Sequence, residues 1–120
     1  MNLNTKQIET KIKIDFIARI LDVDPKLAIA IAFVESSLGL NQKSPTGCRG
    51  VFQMSSIAMT DLLYSMEAID DDLIDIVCGV SFIRLLLKRH KDMRKAIEKF
   101  CDPADKSFYY DKVMDFYDRL

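Results

Sequence analysis

Glu35 is the residue of this sequence best placed to do acid–base chemistry. It follows the most apolar run in the chain, Ile29-Ala30-Ile31-Ala32-Phe33-Val34, and precedes a polar loop punctuated by Gly39, Gly47 and Gly50. A carboxyl group at such a junction is partly stripped of water. Desolvation disfavours the charged form and raises the pKa, which suits a general acid near neutral pH. The plainer alternative is a glutamate that caps the helix end or pairs with a basic residue. Asp61, Asp71 and Asp75 are the candidates if a second carboxylate assists. The other reactive residue types read as structural. His90, the sole histidine, sits in the basic run Lys88-Arg89-His90-Lys91, a solvated helix end that favours the helix dipole. Cys48, Cys78 and Cys101 form no short-spaced pair, so zinc ligation is not expected. An odd cysteine count without an export signal reads as reduced thiols. Asp70-Asp71-Asp72 lacks the alternating ligands and glycine of a calcium loop and reads as a helix start. No metal and no cofactor is expected.

The elements that must position Glu35 are helical. Gly is 4 and Pro is 3, and no segment alternates with period two over a useful length. A first helix is predicted from Asn4 or Thr5, with Ile8, Ile12, Phe16 and Ile20, then Ile17 and Leu21, as an apolar stripe. Asp24 is a natural N-cap and Pro25 suits the first helical position, so a second helix runs to about Ser37. Being apolar nearly all round, it should be the buried central helix. Residues 38–50 form a structured loop, and 50–54 a short extended piece. A third helix is predicted from Ser55 or Ser56 to about Ser65. A fourth spans about Asp71 to Arg89 with Leu73, Ile76, Val77, Val80, Ile83 and Leu87 inward. Gly79 inside it costs about 1 kcal/mol against Ala, which points to a close helix crossing. A fifth covers about Asp92 to Cys101 and a sixth about Asp105 to Leu120. Phe108, Phe116 and Tyr117 read as core residues of this last helix.

The chain has 120 residues, 49% hydrophobic and 29% charged, and suits one domain over 1–120 with a real core. Lys+Arg is 17 and Asp+Glu 18, for a net charge of -1. That balance argues against a domain held on nucleic acid by positive charge, including a small helix-turn-helix module. It also argues against strong attraction to an anionic membrane. No apolar run reaches the ~18 residues of a membrane span, and the polar N-terminus lacks the apolar core of a secretory signal. The expectation is synthesis in the cytoplasm without a signal peptide and no membrane insertion.

Two segments carry more information together than singly. Val23-Asp24-Pro25, Leu27-Ala28-Ile29-Ala30 and Glu35-Ser36 are followed by Ser44-Pro45-Thr46-Gly47-Cys48-Arg49-Gly50-Val51-Phe52-Gln53. This pattern resembles the soluble lytic transglycosylases, lysozyme-like enzymes that cut the glycan of bacterial peptidoglycan. Their motif reads Glu-Ser, then Ser-Pro-x-Gly-Ala-x-Gly-Leu-Met-Gln, and Glu35, Ser44, Gly47, Gly50 and Gln53 fit its spacing without a gap. Downstream, Asp75-Ile76-Val77-Cys78-Gly79-Val80-Ser81-Phe82-Ile83 looks like the family's Asn-Ile-x-x-Gly-x-x-Tyr-Leu helix. Phe100-Cys101 stands where the family has Tyr-Asn, so a cleft hydroxyl and an amide are lost, and Tyr109 or Tyr110 is the candidate replacement hydroxyl.

The resemblance implies a mainly α, compact lysozyme-like bundle of about six helices with at most a minimal β-hairpin near residues 50–54. It implies cleavage of the MurNAc-GlcNAc β-1,4 bond with Glu35 as acid and then base, ending in 1,6-anhydro-MurNAc. Ser44, Gln53, Val51, Phe52, Phe100 and Tyr109 are the implied substrate-binding residues. Hydrolysis by water would make the same site a lysozyme, and the changes at 100 and 101 leave a degenerate glycan-binding module as the rival from outside enzymology. The partner implied is the peptidoglycan strand. A wall enzyme without an export signal needs another route, such as a bacteriophage virion or a secretion machine.

Overall fold

A computed structural model of the chain describes residues 1–42, 50–53, 71–101 and 104–120. Five helices lie within them: α1 (Thr5–Ile20), α2 (Pro25–Ser36), α3 (Asp71–His90), α4 (Met93–Cys101) and α5 (Lys106–Arg119). The helix predicted from Ser55 to Ser65 lies outside the described residues, as do Ser44, Cys48 and Asp61. The radius of gyration is 13.4 Å, against about 13.6 Å expected for a globule of this length.

The ends of α1 and α2 follow from local chemistry. The Asn4 carboxamide accepts from the Gln7 N–H at 2.9 Å, and the Gln7 side chain accepts from the Asn4 N–H at 3.1 Å. This reciprocal pair satisfies two donors that a helix start otherwise leaves open. Asp24 accepts from the Lys26 N–H at 3.0 Å, ahead of Pro25. At its other end, α2 stops in three consecutive left-handed residues, Ser37, Leu38 and Gly39. The Gln7 amide donates to the Ser37 carbonyl at 3.1 Å and ties α1 to this corner.

Helix α2 is the core, as its composition requires: every residue from Leu27 to Phe33 is buried. Helices α1 and α5 cover it. The contact between α5 and α2 includes the Tyr117 hydroxyl, which donates to Asp24 at 2.7 Å, and Phe116, stacked on Phe33 at 4.6 Å.

Several expectations are corrected. Residues 50–53 are turns rather than a hairpin strand, because Gly50 and Gln53 both take positive φ, which a strand does not allow. The α1 stripe is split. Gln7, Thr10, Ile14, Ile17 and Ala18 face the bundle, whereas Ile8, Ile12, Phe16 and Ile20 face solvent. Val77 and Phe108 also point outward. The nearest neighbour of Gly79 is the ring of Phe52, which belongs to a turn rather than to a helix, and a Cβ at position 79 would overlap that ring.

Candidate active site

The left-handed turn after Ser36 sends the chain away from α2 and leaves Glu35 at the helix end, half-buried. Its described hydrogen-bond partners are both neutral. The Tyr109 hydroxyl, carried by α5, donates to Glu35 Oε2 at 2.7 Å. The Cys101 thiol, at the end of α4, lies close enough to hydrogen-bond with Glu35 or with Tyr109. Burial pushes the Glu35 pKa above the ordinary carboxyl value, and the two hydrogen bonds only partly oppose this. The Tyr109 phenol is pushed upward too, first by burial and then by the neighbouring carboxylate, so it stays protonated and remains a donor.

Hydrogen bonds from side chains and backbone tie residues 50–53 to this helix end and to α3. The buried Ser36 hydroxyl accepts from the Gly39 N–H at 2.9 Å and donates to the Val51 carbonyl at 2.5 Å. The Val51 N–H donates to the buried Asp75 carboxylate on α3. Gly50 has φ +89° and lies against that carboxylate, where a Cβ would collide. The Gly50 N–H donates to the Gln42 carbonyl at 2.9 Å, joining residues 39–42 to residues 50–53. A surface depression of about 410 Å³ is lined by Gly39, Leu40, Asn41 and Gln42, the residues that continue from this helix end.

The predicted site residues thus fall into distinct places. Tyr109 meets Glu35 directly. Gln53 folds back on its own turn, its Nε2 donating to the Gly50 carbonyl at 2.8 Å. Val51 and Phe52 are completely buried and Phe100 nearly so. Phe100 packs edge-on to Phe52 at 6.2 Å and against Phe82 at 5.3 Å. As placed, Val51 and Phe52 have no surface with which to touch a sugar, and Phe100 keeps only a small exposed edge. Asp75 anchors the loop: its buried carboxylate accepts from the Val51 N–H. Ser36 and Cys101 stand in the sequence as motif positions, without a role in the site assigned to either. The spacing of Ser36 beside Glu35 was visible, but its bond to Val51 joins positions 15 apart.

The raised Glu35 pKa has a consequence for stability. An acid whose folded pKa exceeds its unfolded value favours folding while protonated, and its ionisation costs stability as pH rises from the unfolded to the folded value. Glu35→Gln is therefore expected to melt a few degrees above the wild type at about pH 8, and no higher at about pH 4. Thermal denaturation by circular dichroism at the two pH values checks this; a melting-temperature difference independent of pH contradicts it.

No family model, curated protein or solved structure matches this chain. Among the described residues, no helix is long and apolar enough to cross a membrane and no group of three or more His, Cys, Asp or Glu is placed to hold a metal.

Proposed function

We propose that this chain is a peptidoglycan-cleaving enzyme of the lytic transglycosylase type, with Glu35 as its acid and base. The observation that carries the reading is a half-buried carboxyl group with a raised pKa, held by the Tyr109 hydroxyl beside a glycine-punctuated loop. In this reading protonated Glu35 gives its proton to the glycosidic oxygen between MurNAc and GlcNAc, and the bond to the anomeric carbon breaks. The N-acetyl oxygen of the substrate supports that carbon. Glu35, now a carboxylate, takes the proton of the muramic 6-hydroxyl as its oxygen closes the 1,6-anhydro ring. One carboxyl group thereby serves both steps, where most glycosidases use two. The buried Val51, Phe52 and Phe100 keep water from the underside of the site, and Gln53 and Ser44 are the polar residues assigned to the sugar. Delivery to the wall through a phage virion or a secretion machine is part of the same proposal.

Mass spectrometry of the muropeptides released from purified cell walls tests the reading. Anhydro ends are the expected product. Ends heavier by one water would make the enzyme a hydrolytic lysozyme, and no release by the wild type would overturn the enzymatic reading altogether.

Tyr109→Phe isolates the role of the hydroxyl. It removes a bond that favours ionised Glu35, so the carboxyl pKa should rise further. The alkaline limb of the activity profile, where the general acid loses its proton, is then expected to move to higher pH. The rate at the optimum should fall about tenfold, in line with the loss of one positioning hydrogen bond of ~1.4 kcal/mol. A profile unchanged in position would assign Tyr109 to packing only.

A further inference from the structure

Helix α1 carries apolar residues on two opposite sides, and the bundle uses one of them. Ile8, Ile12, Phe16 and Ile20 recur at every fourth residue on the outer side, with 46%, 63%, 62% and 63% of their surface exposed. This is an unbroken ridge three helical turns long, or about 18 Å at 1.5 Å per residue. At roughly 200 Å² for a fully exposed large apolar side chain, it presents about 450 Å², the size at which patches on single molecules are usually functional.

We propose that this ridge is the contact between two copies of the chain in a symmetric dimer. Three observations favour a second copy as the occupant. The ridge is a single i, i+4 row, and such rows on two helices interdigitate at a crossing angle of about -50°, the commonest helix packing in globular proteins. Face to face, two such ridges would bury about 900 Å², near the ~1,000 Å² at which a specific interface begins, which fits a reversible dimer. The flanks carry both signs of charge: Glu9 and Lys13 on one side, Lys11, Asp15 and Arg19 on the other, with Arg19 and Asp15 already paired at 2.9 Å. Near-cancelling flanks suit a face that must meet its own copy. They do not supply the one-signed field that draws a helix to anionic lipid. The same patch on both subunits makes the interface isologous and closed, so assembly stops at two.

Sedimentation velocity over about 1 to 500 µM tests the proposal. The wild type is expected to shift reversibly from the 13.7 kDa chain mass to twice that value. Ile12→Glu and Phe16→Glu place a charge in the centre of the contact and should weaken association at least 100-fold, with unchanged helical circular dichroism. Both positions are exposed in the single chain, so their folding is not at risk. Phe108→Glu removes an equally exposed ring on α5, off the ridge, and should leave the dimer intact. A wild type that stays monomeric throughout overturns the proposal, whether or not it binds anionic vesicles. So does a dimer indifferent to both ridge substitutions.

Discussion

Glu35→Gln is expected to lower the rate of cell-wall clearing about 1,000-fold or more, within the range that a positioned acid–base group contributes. The substitution keeps the shape of the side chain, and its amide oxygen can still accept from Tyr109, so the hydrogen bond of 2.7 Å has a successor. What is lost is a proton available near neutral pH. The variant should be as stable as the wild type or more so, because the cost of ionising a half-buried carboxyl group disappears. Lost rate combined with kept or improved stability separates a catalytic glutamate from a structural one. Turbidity loss of a cell-wall suspension and released muropeptides measure the first, and thermal denaturation the second. A Glu35→Gln variant that clears walls at the wild-type rate would exclude Glu35 as the acid.

Gly79→Val is expected to destabilise the protein by about 3 kcal/mol, the upper part of the usual range for overpacking a core. The melting temperature should fall by about 10 °C. A Cβ at position 79 overlaps the Phe52 ring, and that ring has nowhere to go. It is completely buried, Phe100 sits edge-on behind it, and its neighbour Val51 is held from both sides by Ser36 and Asp75. The disturbance is transmitted toward the site, since Phe100 immediately precedes Cys101, which lies near Glu35. Activity at a temperature where the variant is still folded should therefore fall as well. Differential scanning calorimetry and wall-clearing assays measure the two effects. A Gly79→Val protein as stable as the wild type would mean that Phe52 does not occupy this place.

The helices were legible because their signals are local. Asn4 with Gln7, Asp24 before Pro25, and Asp105 accepting from the Phe108 N–H at 3.0 Å are capping arrangements complete within three residues. The apolar run from Leu27 to Phe33 marked the central helix, and every residue of that run is buried. Glu35 was legible for the same reason: its partial desolvation follows from its place at the end of that run.

The faces were less legible. Helical periodicity reports that Ile8, Ile12, Phe16 and Ile20 share a side, but it assigns that side to the core only if the helix has a single apolar face. Helix α1 has two, and the inner one includes Gln7 and Thr10, polar residues that periodicity does not count. The turn at residues 50–53 likewise read as extended, because its apolar Val51 and Phe52 conceal the positive φ at either end.

The sequence by itself determined the five described helices, the burial of α2 and the junction that holds Glu35, all consequences of chemistry within a few residues of one another. The tertiary structure decided which of the two candidate hydroxyls, Tyr109 or Tyr110, meets that carboxyl group. Tyr109 is 74 positions away, and a residue's nearest partner across such a separation depends on how whole helices pack. It likewise decided that Phe52 fills the space beside Gly79 and that the outer row of α1 is left facing solvent. A side chain's surroundings are a property of the assembled core, and no local pattern encodes them.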